Sequence, residues 1–525
     1  MMKKIKFVLS VLVLSGCEVG PDYHPPNITV APSYGESAAT QPAASVNSSR
    51  VSAVRWWRGF NDPELNSLID RALASNLDLR GAESRLRQAR AQRGVVGSAL
   101  WPQINLDGGY QHARGSKNVV IPAAAFTGGG GATPAVSSAG PIATPAQVIA
   151  GGGAGGGSSA PLGGPESPLG EGGFPGVTTD LYQAGFDASW EVDVFGGQRR
   201  AVEAASADTA AAIEDRRDIQ VSLLAEVARD YIQLRAAQFE AEIARQNLGN
   251  QQDTLELTRS RYQAGFATQL DVARQAAQVA STAATLPELE ASIRQSIHAL
   301  GVLLAQDPDA LFAELSTTAP IPPVPPRVPV GVPADLVRRR PDIRRAERQL
   351  AAASARIGVA TSDFYPKFSL TGSFGLDSSQ IKQLFDWNSR YFALSPGVSW
   401  PIFDAGRIKS NVEVQKELTR QAATSYQSAV LNALREVEDA LASYRMEQLR
   451  RKALADAVDA SRQAADLARQ QYEKGVIDFL EVLDAQRSLL EAENVLAQSD
   501  SEISLDLVSL YKALGGGWET QPVTQ

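Results

Sequence analysis

Four stretches of the chain alternate apolar and polar residues with a period of two. In 103–111 the apolar positions are Ile104, Leu106 and Tyr110, interleaved with Gln103, Asn105, Asp107 and Gln111. In 182–194 they are Tyr182, Ala184, Phe186, Ala188, Trp190, Val192 and Val194, and every residue between them is Gln, Gly, Asp, Ser or Glu. Phe368, Leu370, Phe374 and Leu376 repeat the pattern against Lys367, Ser369, Thr371 and Ser373; so do Phe392, Leu394, Val398, Trp400 and Ile402 against Tyr391, Ala393, Ser395, Gly397 and Ser399. Alternation over ~9–11 residues predicts strands with one apolar and one polar face, the signature of a transmembrane barrel strand. A soluble antiparallel sheet with one wet face carries the same pattern. The aromatic residues favour the membrane. Trp101 and Tyr365 start two strands while Trp190 and Trp400 close the other two, so all four fall at one end as an interfacial girdle.

After each strand pair the period changes. No proline occurs from 176 to 286 or from 402 to 521, and these stretches are rich in Ala, Leu, Glu, Gln and Arg. They predict helices far longer than three or four turns. Leu454, Val458, Ser461, Ala465, Ala468 and Tyr472 recur at steps of four and three, a coiled-coil seam. A helix from 407 to 471 would span on the order of 95–100 Å. Gly265 and Gly475 are the reversal points, each followed by a helical return, which gives two long helical hairpins per chain.

The order of features is written twice. Asn76-Leu77-Asp78-Leu79 opens a helix ending at Trp101-Pro102, and Arg340-Pro341-Asp342-Ile343 opens one ending at Tyr365-Pro366. Arg261-Tyr262-Gln263-Ala264-Gly265 is answered by Gln471-Tyr472-Glu473-Lys474-Gly475. Two copies are too few for a solenoid. The organisation expected is therefore a first repeat at 61–316, with its strand hairpin at about 103–194, a Pro-rich connector at 317–333, a second repeat at 334–514, with its hairpin at about 367–402, and a C-terminal tail at 515–525. Residues 114–180 within the first hairpin are dominated by Gly, Ala, Pro and Ser and read as a flexible external loop. Gly151, Gly153 and Gly156 formally match a dinucleotide fingerprint, but no strand–helix context flanks them.

The N-terminus reads as an export signal. Lys3, Lys4 and Lys6 precede an apolar run from Phe7 to Leu14, and Ser15-Gly16-Cys17 follows. Leu14-Ser15-Gly16-Cys17 looks like a bacterial lipobox, which implies a signal peptide at 1–16, S-diacylglycerol and an N-acyl chain on Cys17, and a lipid-anchored tether over 17–60. Glu18, rather than Asp, after the Cys implies outer-membrane sorting. The remaining composition mostly excludes. Cys17 is the single cysteine among 525 residues, so no disulfide framework exists, and His24, His112 and His298 are scattered, so no metal site or thiol enzyme is expected. A net charge of −8 argues against nucleic-acid binding. No nucleophile elbow or phosphate-cradling loop is present. The run Arg338–Arg340 with Arg344 and Arg345 reads as a solvated helix start.

Cys17-Glu18-Val19-Gly20-Pro21-Asp22-Tyr23, Arg339-Arg340-Pro341-Asp342-Ile343, Pro401-Ile402-Phe403-Asp404-Ala405-Gly406-Arg407, Leu483-Asp484-Ala485-Gln486-Arg487-Ser488 and the close at Leu510-Tyr511-Lys512-Ala513-Leu514-Gly515-Gly516-Gly517-Trp518 together resemble the TolC-like outer membrane efflux proteins, in the lipoprotein branch typified by OprM. The resemblance implies a mixed α and β membrane protein: a trimeric 12-stranded transmembrane β-barrel, four strands per chain, continued by a long coiled-coil α-helical periplasmic barrel. It implies a passive exit duct in the bacterial outer membrane, served by a periplasmic adaptor and an inner-membrane pump, usually of the resistance-nodulation-division type. By motif, Leu480, Glu481 and Asp484 would line a periplasmic aperture, with Asp271 and Tyr472 as packing or hydrogen-bonding partners. Ile477 stands where some relatives carry an Arg that links to the acid equivalent to Asp271. Outside the resemblance, Glu481 and Asp484 read as ordinary solvated helix residues. A duct for protein secretion and a non-channel coiled-coil lipoprotein are the alternatives, the second leaving the four alternating segments unexplained.

Overall fold

The computed structural model describes residues 18–26, 30–35, 54–114, 178–325 and 333–520. The signal region, Cys17, most of the loop 114–180 and part of the connector lie outside the described residues.

The four alternating segments are strands: β1 (Gln103–Arg114), β2 (Thr178–Val192), β3 (Lys367–Ser378) and β4 (Arg390–Ser399). They form one antiparallel sheet in the order β1-β2-β3-β4, so β2 of the first repeat pairs with β3 of the second. The register keeps parity across every pairing: Leu106 lies opposite Phe186, Phe186 opposite Phe374 and Phe374 opposite Phe392. The neighbouring row runs Asp107, Gly185, Gly375, Tyr391. Directly opposed residues share a face, so one face carries the apolar set and the other the polar set, and a slip of one residue would exchange them. Nothing in the chain covers the apolar face among the described residues; Leu106 is 71% exposed and Phe392 81%. β1 and β4 each have a single partner strand.

Trp101 and Tyr365 stand just before β1 and β3, Trp190 lies in the last turn of alternation of β2, and Trp400 follows β4, so the four occupy one end of the sheet. The Trp190 indole donates to Leu100 O at 3.1 Å, which fixes the ring at the strand mouth. A second aromatic level was hidden among the apolar positions. Tyr110 stacks on Tyr182 with centroids 4.7 Å apart, and its hydroxyl donates to Asp180 at 2.8 Å. From Tyr182 to Trp190 the strand rises ~27 Å, or ~20 Å once tilted, which suits an apolar band of ~25 Å between two girdles.

The helices are α1 (Pro63–Ser75), α2 (Leu77–Ser98), α3 (Gly197–Gln263), α4 (Gln269–Leu303), α5 (Phe312–Leu315), α6 (Pro333–Arg339), α7 (Pro341–Ser362), α8 (Arg407–Glu473) and α9 (Phe479–Ala513). The duplication is quantitative: α2 and α7 have 22 residues each, α3 and α8 have 67, and α4 and α9 have 35. At ~1.5 Å per residue the long helices run ~100 Å and their returns ~50 Å. None of the described helices is long and apolar enough to cross a membrane. Both long helices begin after a left-handed glycine, Gly196 and Gly406. At the second of these junctions the Asp404 carboxylate accepts the N–H groups of Ile408 at 2.8 Å and Gly406 at 3.0 Å, and these donors hold it below the usual carboxylate range. The expected seam on α8 is its buried stripe: Val458, Ala465 and Tyr472 are all buried.

Two segments expected as tether and tail are partly core. Trp56, Trp57 and Phe60, within the 17–60 stretch, are buried, and Trp56 stacks on Tyr511 at 5.2 Å. Residues 18–26 run against helices rather than free, and Gly515, Gly516 and Gly517 of the tail are buried as well. The reason is aromatic burial. Rings of this size bury ~150–250 Å² each, which outweighs a polar, Pro-rich local composition. Asp62 sets the direction of entry into α1, accepting from the N–H groups of Glu64 and Leu65 while Tyr231 donates to its other oxygen at 2.9 Å.

If the apolar face meets lipid, Phe374→Arg should cost ~2–4 kcal/mol of membrane stability. Ser373→Arg, one residue away on the opposite face, should be nearly neutral. Comparison of the two variants by folded yield in the outer-membrane fraction checks this; equal loss from both would remove the membrane assignment of the faces.

Candidate functional site: the paired helix turns

Both helical hairpins reverse with the same closure. Phe266 N–H donates to Arg261 O at 2.8 Å and Gly265 N–H to Tyr262 O at 3.0 Å; Val476 N–H donates to Gln471 O and Gly475 N–H to Tyr472 O, each at 2.9 Å. This pair of bonds caps the last carbonyls of a helix and requires a left-handed residue between them. Gly265 and Gly475 supply it, with φ of 80° and 74°.

Beneath the second turn lies a small apolar cluster of its own: Tyr472, Phe479, Val482 and Leu483 are buried, with Leu257, Ala468 and Ile477 packed against them. Tyr472 meets Phe479 edge to face at 5.6 Å. The opposite side of α9 is polar and open. Glu481 and Asp484 are exposed there, three residues apart on one face, and Leu480 beside them is 53% exposed. Glu481 and Asp484 belong to a groove of about 710 Å³, whose walls also include Ser461, Leu467, Gln471 and Asp478. The acids lie in the first turns of α9, where the helix dipole favours negative charge by ~0.3–1 kcal/mol, so their presence has a local cause as well.

Asp271 is held by a bond within its own turn. Its carboxylate accepts Thr268 N–H at 3.0 Å and the Thr268 hydroxyl at 2.7 Å, completing a capping box at the start of α4. It makes no bond to Tyr472, and Ile477 is spent on the apolar cluster. The residue that ties the two turns together is Arg261. From the end of α3 it donates to Tyr472 O at 2.6 Å and Glu473 O at 3.3 Å, with its guanidinium 4.5 Å from the centre of the Tyr472 ring. A cation on the terminal carbonyls of α8 satisfies orphan acceptors and complements the helix dipole together. The repeat alignment held the only signal for it, since the second copy has Gln471 at this place.

Above the turns the hairpins are joined by polar ties. Gln486 donates to Thr254 at 2.9 Å, Arg487 to Gln278 at 2.6 Å and Asn247 to Glu493 at 3.0 Å. No group of three or more His, Cys, Asp or Glu that could hold a metal occurs among the described residues.

The family model described as "Outer membrane efflux protein" matches residues 68–140, 151–306 and 332–516. The chain belongs to that family. It is 32% identical over 510 residues to the pyoverdine export outer membrane protein OpmQ of Pseudomonas putida, covering 95% of each chain. It is also 32% identical to the toluene efflux pump outer membrane protein TtgF of the same species, over 99% of this chain and 98% of that one. Among solved structures it is similar to the outer-membrane channel OprN, with a TM-score of 0.80 and 34% identity over 96% of this chain and all of that one. The open-state MtrE channel of Neisseria gonorrhoeae follows the same path, with a TM-score of 0.73 and 26% identity over 96% of this chain. This outer membrane efflux protein is thus the outer-membrane exit duct of a tripartite efflux pump, in a family of transport ducts rather than enzymes.

Arg261→Ala should loosen the second turn, because charged hydrogen bonds are worth ~1.5–3 kcal/mol and partial exposure reduces this to ~1 kcal/mol. Faster amide exchange at 472–476 than in the wild type is the expected readout, with Arg261→Lys intermediate. Unchanged exchange would mean that the apolar cluster alone holds the turn.

Proposed function

We propose that three copies of this efflux protein close a 12-stranded barrel in the outer membrane, and that the paired turns form the periplasmic aperture of the resulting duct. The observation that carries this reading is the open sheet. Four strands with two unpaired edges and an uncovered apolar face would leave backbone N–H and C=O groups in hydrocarbon at several kcal/mol each. Sister chains supply the missing partners.

The repeat specifies how they would meet. β2 and β3 join the two copies within the chain, and β4 and β1 would join them between chains in the same way. Carried over through the duplication, the pairing of Trp190 with Leu370 puts Trp400 opposite Leu106 of the next copy. That of Ala188 with Gly372 puts Val398 opposite Gly108. Parity is preserved, apolar row against apolar row. The chain with Gly108→Cys and Val398→Cys should therefore cross-link into a closed trimer with a short thiol reagent. Gly109→Cys with Val398→Cys, whose side chains face opposite ways, should stay uncross-linked. A single-copy, folded wild type in mild detergent would sink the reading.

Threefold symmetry would bring Glu481 and Asp484 around one narrow opening three times, with Leu480 as the apolar rim and Tyr472 and Asp271 holding the turns behind it. Rings of acids focus cation potential. Glu481→Gln with Asp484→Asn should lower cation preference in planar bilayers; unchanged selectivity would place the constriction elsewhere. Cys17 would carry diacylglycerol and an N-acyl chain after removal of 1–16, anchoring the mature chain in the outer membrane. A periplasmic adaptor and a pump of the resistance-nodulation-division type would complete the machine. The names of OpmQ, a pyoverdine export protein, and TtgF, a toluene efflux pump protein, support small-molecule cargo.

A further inference from the structure

The first described residues of the chain occupy a slot made for them. Val19 N–H donates to Phe195 O at 3.2 Å. Arg200, near the start of α3, has a side chain only 4% exposed yet faces three carboxylates: it donates to Asp22 at 2.6 Å and Glu203 at 2.7 Å, and Glu18 lies 3.5 Å away. Its Nε also donates to Val19 O at 3.3 Å. The backbones close in without side chains between them. A Cβ on Gly20, whose φ is 98°, would lie 2.4 Å from Gly358 Cα of α7; a Cβ on Gly358 would lie 2.8 Å from Arg200 Cγ and 3.0 Å from Val19 O. Farther along, the Tyr23 hydroxyl donates to Glu347 at 3.4 Å.

A buried guanidinium left without its carboxylates costs several kcal/mol, so Arg200 is tolerated because the N-terminal peptide comes to it. The same guanidinium holds the Asp22 carboxyl below the usual carboxylate range. Neither the duct nor the aperture uses any of these groups. The peptide also sits one residue after Cys17, and its bonding partner Phe195 is only three residues beyond the end of β2.

We propose that Arg200, Gly20 and Gly358 form a docking slot that fixes the acylated N-terminus beside the strand-to-helix junction, so that the lipid is held in place rather than carried on a loose tether. The inference rests on lipidation of Cys17. Arg200 is a positioning residue: it touches neither lipid nor cargo, and it sets where the lipid enters the membrane. With Cys17 adjacent to a docked residue, no more than ~4 Å of chain separates the acylated sulfur's own backbone from the slot. The acyl chains then act on the junction through which β2 passes into α3.

The test uses the full-length precursor processed in cells and follows two readouts, incorporation of labelled palmitate and the rate at which protease releases the N-terminal peptide. Arg200→Gln should be labelled like the wild type, release the peptide at least tenfold faster, and yield less heat-resistant oligomer. Because Arg200 is buried, the double variant Glu18→Gln with Asp22→Asn serves as a second arm. Its side chains lie at the surface and their loss leaves the helical core intact, and it should show the same faster release. Normal labelling with wild-type release rates in both arms overturns the slot. An unlabelled wild type overturns lipidation, and with it the account of what the slot positions, whatever the release rates.

Discussion

A strand edge cannot be left bare in hydrocarbon. Every peptide group needs a partner there, and water is absent to provide one. Much of this efflux protein follows from that constraint. Four strands are too few to close on themselves, so in the proposed trimer identical sheets would extend this one, with edges matched in parity. The duplication answers both needs. The pairing of β2 with β3 is already a junction between unlike copies of the repeat, and the same junction, repeated between chains, would close a ring. The β2–β3 interface within the chain would thus serve as the template for an interface between chains.

What the sequence made legible was whatever is local and periodic. Alternation in 182–194 marks strand and face together, because side chains switch sides at each residue. Gly265 and Gly475 are legible because only a residue free of a Cβ penalty suits the left-handed turn. Long Pro-free stretches announce helices, and the structure gives them matched lengths of 67 and 35 residues in each repeat. Contacts between distant positions were another matter. Arg261 and Tyr472 are 211 residues apart, and no pattern in either neighbourhood names the other. Arg200 and Asp22 are 178 apart, and the segment that carries Asp22 has the composition of a linker. Asp271 shows the converse: the motif names it as a packing or hydrogen-bonding residue of the aperture, and the bond it makes is local, to Thr268 three residues earlier.

The two ends of the helical region are held by different physics. Around Trp56, Trp57, Phe60, Tyr231 and Tyr511 the packing is aromatic and aliphatic, with most side chains fully buried. Toward the turns the interior changes character. Gln251, Thr254, Thr258, Gln275 and Thr282 are buried there, and Gln251 Oε1, Gln275 Oε1 and Thr282 Oγ1, with Gln486 Oε1 of α9, have no hydrogen-bond partner among the described residues. A buried polar group without a partner costs ~1–3 kcal/mol, so an interface built this way is weaker than one of leucines and readily admits water.

That weakness suits the proposed aperture, where the hairpins would move against one another. Segments that move are drawn from the low-stability part of a fold, because their contacts must be surrendered at little cost. Gln486 with Thr254 and Arg487 with Gln278 are single bonds between hairpins, each replaceable by water, while Tyr472, Phe479, Val482 and Leu483 keep the second turn intact as a body. A hairpin can therefore shift as a unit against its neighbour without melting its own tip. The polar band weakens the joint, the apolar cluster stiffens the second turn, and Arg261 ties the end of α3 to the end of α8. An all-apolar seam would bind the hairpins more tightly and leave less freedom for the movement proposed for the aperture.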